Sequence, residues 1–249
     1  MEESINDPST FKKRTLLCVL VVLTIIGLDQ WLKIWVKTHM GYGDEFKIMG
    51  LDWARIHFVE NDGMAFGISL GGSIGKLLLS SFRIIAVGFL IYILYRLIKS
   101  KENWGLLVCF SLILAGAIGN ILDSAFYGLF FTESFYQGGL AEYAPDRGYA
   151  PFLFGRVVDM FYFPLVDTRW PDWVPLVGGS SLQFFRPVFN VADAAISTGV
   201  ISLIIFFRSF FKTQTNTPIN ATTTVEQSVT NEMTELSDAA VEDLPEQTQ

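Results

Sequence analysis

The chain has 249 residues, 51% of them hydrophobic and 22 of them Phe, a composition that leans toward a membrane protein. Its net charge of -7 comes from the far end: Glu226, Glu232, Glu235, Asp238, Glu242, Asp243 and Glu246 all follow Lys212, after which there is no Lys or Arg. The remainder is electrically balanced, which excludes a nucleic-acid-binding surface and assigns the acidity to a tail rather than to a site.

Taken in chain order, the first apolar run, 16–36, is close to the ~20 residues that span a bilayer and reads as a transmembrane helix. Lys12, Lys13 and Arg14 precede it as they would a signal peptide, but it continues through Trp31, Ile34 and Trp35 with no small-residue cleavage site. The outer loop 38–76 carries Phe46-Lys47-Ile48 and Ala54-Arg55-Ile56-His57-Phe58-Val59, whose alternation predicts strands of a small sheet, with His57 a half-buried strand residue.

Helices two and three follow at 77–98 and 104–126, joined by a tight turn with Arg96, Lys99 and Lys101. The outer loop 127–189 is rich in aromatics, Pro and Gly and is expected at the membrane interface. Helix four covers 191–211 and is followed by Arg208 and Lys212, so positive charge at the helix ends places both termini in the cytoplasm. Residues 213–249, with almost no aromatics, cannot bury enough apolar surface to fold and are expected to be a disordered cytoplasmic tail. Cys18 and Cys109 each lie inside an apolar run and read as small core residues.

This threading gathers polar residues at one face. Asp29 late in helix one, Asp123 late in helix three, Asp193 early in helix four, Asp159 and Asn61 in the outer loops and Arg83 early in helix two all fall toward the outside. A carboxylate at the edge of hydrocarbon is costly, so it faces partners or water. Any one of these acids also has a structural reading, with Asp193 placed favourably against a helix dipole; their convergence points to a site.

Asn120 with Asp123, and Asn190 with Asp193, are i, i+3 pairs that share a helical face, so each Asn is placed to orient its own Asp. Asp159 lies between Val157-Val158 and Met160-Phe161, where burial raises a carboxyl pKa. Brought close to Asp193, it would share a proton in the manner of an aspartic protease dyad.

Other chemistries find no support. His39 and His57 form no zinc-peptidase motif, no serine sits in a nucleophile elbow, and no glycine doublet opens a phosphate-binding loop.

Five blocks carry a resemblance: Asp29-Gln30-Trp31-Leu32-Lys33, Asn61-Asp62-Gly63-Met64-Ala65-Phe66, Gly116-Ala117-Ile118-Gly119-Asn120-Ile121-Leu122-Asp123, Val157-Val158-Asp159 and Phe189-Asn190-Val191-Ala192-Asp193. Each is weak alone; in this order, over about 15–211, they resemble the lipoprotein signal peptidases (signal peptidase II). The resemblance implies an all-α integral membrane protein of four transmembrane helices with a small extracytoplasmic β-cradle, occupying 1–212 ahead of the tail. It implies an aspartyl endopeptidase, working without metal or cofactor, of the bacterial cytoplasmic membrane with its site toward the outer face. Its substrates would be diacylglyceryl-modified prolipoproteins, cut just before the lipidated cysteine, with acyl chains among the helices and membrane lipids as neighbours.

Asp159 and Asp193 take the catalytic positions in this resemblance. Asp29, Lys33, Asn61, Gly63, Ala65, Phe66, Asn120, Asp123 and Asn190 take substrate-binding or supporting ones. The oligomeric state is open, with a monomer assumed.

The chain departs from the family pattern in three ways. Ser124 stands where Arg is usual, so that Arg83 or Arg156 is expected to replace that cation. Met160 stands where an aromatic is common. The loops flanking Asp159 are long, and their segments 142–146 and 170–173 are expected to gate access or contact the substrate. Two other functional classes stay open at this point: a small transporter or channel, and a scaffold that binds acylated peptides without cutting them.

Overall fold

In the computed structural model the described residues are 8–62, 72–135, 139–164, 166–169, 171–175, 178–184 and 187–208. The chain divides into two units, Met1–Phe206 and Phe207–Gln249, and the fold below is that of the first. The expected tail from 213, and Gly63, Ala65 and Phe66, lie outside the described residues.

Among the described residues three helices are long and apolar enough to cross a membrane: α1 (Pro8–His39), α2 (Gly72–Lys99) and α3 (Trp104–Phe130). A shorter apolar helix, α4 (Val191–Phe206), has 16 residues and spans about 24 Å. The helix expected at 16–36 is longer, 32 residues, because Pro8 suits a first helical position and Lys12, Lys13 and Arg14 favour helix as well as any apolar residue. Hydropathy locates where lipid would be, and the helix runs past that border at both ends.

α3 is the central element and packs against α1, α2 and α4. Its seam with α4 is made of small residues. A Cβ on Gly116 would lie 2.2 Å from the Ala192 carbonyl oxygen, and one on Gly199 would lie 2.7 Å from that of Cys109. Glycine at these positions is what lets the two backbones touch. α1 and α2 instead turn Leu16, Leu20, Leu23, Phe82, Ile85 and Phe89 outward, faces suited to lipid. Asn103 ends the α2–α3 turn by accepting a hydrogen bond from the Gly105 N–H at 2.8 Å.

From Asp123 to Tyr127, α3 widens into a π-helical turn, a local irregularity that tends to mark functional positions. The Ser124 carbonyl accepts from the Gly155 N–H at 2.8 Å. A Cβ on Gly155 would sit 2.3 Å from the Asp123 carbonyl oxygen, so the outer loop docks here only as glycine. The 142–146 segment is joined to the same helix end: the Thr132 N–H donates to Glu142 O at 3.0 Å and the Ala144 N–H to Phe130 O at 2.8 Å.

A four-stranded antiparallel sheet sits beside the helix ends, ordered β1 (Glu45–Lys47), β2 (Arg55–Asn61), β3 (Val157–Tyr162) and β6 (Val188–Phe189). β4 (Val166–Arg169) and β5 (Ser181–Phe184) form a separate hairpin. The two strand signals of the first outer loop are thus met. The expectation that Asp159 lies in a loop is corrected: it occupies the sheet's interior strand β3. Val157 to Met160 are all buried, on both faces, so apart from Asp159 itself no apolar–polar alternation reveals the strand.

One face of β2 and β3 packs Phe58, Val158 and Met160 against Val36 and Met40 at the end of α1 and Tyr127 and Phe131 of α3 and its extension. Met160 is fully buried there, so its position serves the core. Ile56 pairs with Phe161 but Val59 with Asp159, one extra residue on β2. This bulge restores the alternation so that Val59 and Asn61 share the face of Asp159 while Phe58 and Glu60 face the core; without it that half of the strand would present the opposite set.

Candidate active site

The site is built from the α4 N-terminus outward. A helix begins with N–H groups that lack intrahelical partners. Here Asn190 caps α4: its Oδ1 accepts from the Asp193 N–H at 2.8 Å, while Asp193 Oδ2 accepts from the Asn190 N–H at 3.3 Å. This is a reciprocal capping box. Asp29, from α1, accepts the next orphan, the Ala192 N–H, at 2.8 Å. The first turn of α4 is therefore held by two elements distant in sequence, and Asp193 stands at its positive end.

Asn190 also joins the two candidate acids. Its Nδ2 donates to Asp159 Oδ1 at 2.7 Å, and it approaches Asn120 Oδ1 and Val158 O at 3.2 and 3.3 Å. Among the described residues Asp159 Oδ2 accepts a long contact, 3.4 Å, from Asn61 Nδ2. Asp193 Oδ1 accepts from Asn120 Nδ2 at 2.9 Å. Three amides thus surround two carboxylates, and Asn190 touches both.

The expected pairing of Asn120 with Asp123 is corrected. Asn120 serves Asp193 on the neighbouring helix, while Asp123 is held by Lys33 at 2.8 Å and by Gln30 Nε2 at 2.8 Å. The i, i+3 spacing put both side chains on one face correctly; which partner each met depended on α1 and α4 packing against that face.

Lys33 is completely buried, and its ammonium reaches Asp29 at 2.8 Å, Asp123 at 2.8 Å and Asn120 Oδ1 at 2.9 Å. Three acceptors match its three N–H donors. Asp29 and Lys33 share an α1 stripe with Lys37, which is also fully buried and pairs with Glu60 on the core face of β2. Two buried ion pairs therefore tie α1 to α3 and to the sheet.

Sequence reasoning missed two participants. Gln30 donates to Asp29, to Gly119 O and to Asp123, and accepts from the Tyr127 hydroxyl at 3.2 Å. Its signal was an amide in an apolar helix beside an acid. Lys37 with Glu60 was foreshadowed by the four-residue spacing of Asp29, Lys33 and Lys37.

Burial, first, and the neighbouring Asp193 charge push the Asp159 carboxyl up to about 7, against Lys33, Asn190 and Asn61, which favour its ionised form. At Asp62, burial is outweighed by Lys76 and Arg156, which hold that carboxyl below its ordinary value. Arg156 is engaged with Glu60, Asp62 and Glu133. Of the two cations considered for the place opposite Ser124, it is Arg83 that arrives, donating to Ser124 Oγ at 3.3 Å.

Among the described residues no group of three His, Cys, Asp or Glu is arranged to hold a metal ion. What the geometry offers is a pair of coupled acids, one raised to neutrality, both lined by amide donors. A water between them has a base and an acid within reach.

The sequence model of the family described as Signal peptidase (SPase) II matches residues 21–210. A lipoprotein signal peptidase of Porphyromonas gingivalis is 50% identical over 190 residues, 76% of this chain and 80% of that one. One from Amoebophilus asiaticus is 37% identical over 189 residues, 74% of this chain and 75% of that one. A solved bacterial membrane enzyme, 22% identical, aligns with a TM-score of 0.50 over 82% of this chain and 92% of that one, a likeness of fold.

Proposed function

The chain belongs to the signal peptidase II family, and on that premise we propose that Asp159 and Asp193 form the dyad with which it removes signal peptides from diacylglyceryl-modified prolipoproteins. It is a protease of a bacterial membrane. The observation that carries the dyad is Asn190, whose one side chain and backbone bind both carboxylates at the N-terminus of α4.

In the reaction one ionised aspartate takes a proton from water as its oxygen attacks the scissile carbonyl. The protonated partner donates to the carbonyl oxygen, and the same proton inventory then serves the leaving amine. Asn61 and Asn120 hold the carboxylates in register, so that the partner's proton reaches the carbonyl oxygen as the tetrahedral gem-diol forms. The cut falls just before the lipidated cysteine.

α1, α2, α3 and α4 together make four membrane crossings in this reading, with both chain ends in the cytoplasm and the aspartates at the outer face. Arg96, Lys99 and Lys101 in the short α2–α3 turn support that orientation. The outer site suits a substrate whose signal helix lies in the bilayer. A conduction role is disfavoured because the polar network stops near Gly119; further along α3, Ser111 uses its hydroxyl on the Leu107 carbonyl.

The test is cleavage of a diacylglyceryl-modified prolipoprotein by the purified protein in lipid, beside Asp159→Asn and Asp193→Asn each shown to be folded by a cooperative thermal transition no lower than that of wild type. Each substitution is expected to abolish cleavage. Wild-type turnover in either would remove that residue from the dyad, and an uncleaved but bound substrate in wild type would favour the scaffold.

A further inference from the structure

We propose that Arg83, reaching from α2, is the positioning residue that keeps Asp193 as the proton-accepting carboxylate and so leaves the proton on Asp159. The inference rests on the dyad reading above and assigns its two roles.

The charged groups facing the dyad come from every packed element. α1 supplies Asp29 and Lys33, α3 supplies Asp123, α2 supplies Arg83, and β2 contributes the neutral Asn61. Lys33 has its three N–H groups directed at Asp29, Asp123 and Asn120. Arg156 is turned to Glu60, Asp62 and Glu133. Arg83 is the remaining cation beside the pair among the described residues, its Nη1 donating to Ser124 Oγ, next in the chain to Asp123 and one helical turn from Asn120.

Its guanidinium is fixed rather than loose. Ser124 Oγ donates to the Asn120 carbonyl at 3.1 Å, which leaves its lone pairs for the Arg83 N–H at 3.3 Å. Asn120 in turn donates to Asp193. The cation is thus indexed, through Ser124, to the residue whose side chain holds Asp193.

The hydrogen bonds divide the roles in the same direction. Asp193 has donors on both oxygens, Asn120 Nδ2 and the Asn190 N–H, and the positive end of α4 behind it, all favouring the anion. Among the described residues Asp159 has one short donor, on Oδ1, while its Oδ2 meets Asn61 at 3.4 Å, which makes Oδ2 the place for a proton. The apolar burial of β3 around it penalises its charge. In turnover the water proton passes to Asp193 as the Asp159 Oδ2 proton passes to the carbonyl oxygen, so the dyad's total proton count is unchanged in that step.

The experiment compares pH profiles of kcat and kcat/KM on the lipid-modified prolipoprotein for wild type, Asp193→Asn, Arg83→Lys, Arg83→Gln, Arg83→Ser and the double variant Arg83→Ser with Ser124→Arg. Arg83→Gln is expected to lower kcat by about tenfold or more with little change in KM, and to move the acidic limb up by about one pH unit. Arg83→Lys should keep the wild-type limb. The double variant, which returns a cation from α3, should recover about fivefold or more over Arg83→Ser. Unmoved limbs in Arg83→Gln, a loss confined to KM, or a lysine variant as impaired as the glutamine one would overturn the proposal. If Arg83→Gln fails to fold, the lysine profile and the rescue by Ser124→Arg decide it. Wild type inactive, or Asp193→Asn active, would overturn the dyad reading itself; wild-type activity lost in Asp193→Asn with normal Arg83 variants overturns this inference alone.

Discussion

At the scale of residues, the chemistry depends on groups held where water would not leave them unpaired. Asp159 is 4% exposed with a carboxyl pushed from 3.8 to about 7. Below pH 4 it is protonated folded or unfolded and costs nothing. Between pH 4 and 7 the unfolded chain gives up this proton while the folded one keeps it, so stability falls as pH rises, and above 7 the full penalty, at most ~4 kcal/mol, is present. Asp159→Asn is therefore expected to be inactive yet more heat-stable than wild type at pH 8, with the difference fading toward pH 4. A thermal series across that range checks it.

Lys33 presents the opposite case. Removing its ammonium by Lys33→Met would strand Asp29 and Asp123 together in a fully buried site. A loss of about 3–5 kcal/mol is expected, read as a lower unfolding midpoint in lipid or detergent. Much of this was legible beforehand. Polar residues in apolar helices are conspicuous because hydrocarbon penalises them, which is how Asp29, Asn120, Asp123 and Asp193 were recognised. Gln30 was less conspicuous, being one neutral amide beside a charged neighbour.

At the scale of elements, the α3–α4 contact sets the site. Gly116 faces the Ala192 carbonyl, one residue before Asp193, and has no room for a side chain. Gly116→Val should push the α4 N-terminus away, break the Asn120–Asp193 hydrogen bond, and lower kcat by about a hundredfold or more. A structure or cross-linking series would record the displacement. Helix existence was readable from apolar runs, since a bilayer-spanning segment must satisfy its backbone internally. Helix ends were not: α1 begins at Pro8 because its cationic first turns are good helix formers. β3 escaped recognition because strand alternation vanishes where both faces are buried.

At the scale of the whole molecule, orientation is the remaining expectation. In a variant lacking Cys18 and Cys109, a cysteine at Ser100 in the α2–α3 turn should react with a membrane-impermeant thiol reagent only after cells are opened. One at Glu142, exposed near the end of α3, should react in intact cells after the outer barrier is permeabilised. The reverse pattern would invert the topology.

The order of polar blocks along apolar helices determined the family and pointed to the candidates Asp159 and Asp193, because charges in hydrocarbon need a reason that sequence position can supply. The tertiary structure decided which amide serves which acid, that Asp159 sits on a strand bulged into register with Asn61, and that Arg83 takes its place against Ser124. Each of those outcomes depends on distances between segments 31 to 98 residues apart, and on packing so close that a single Cβ at Gly116 or Gly155 would forbid it. Local propensity carries no information about such distances.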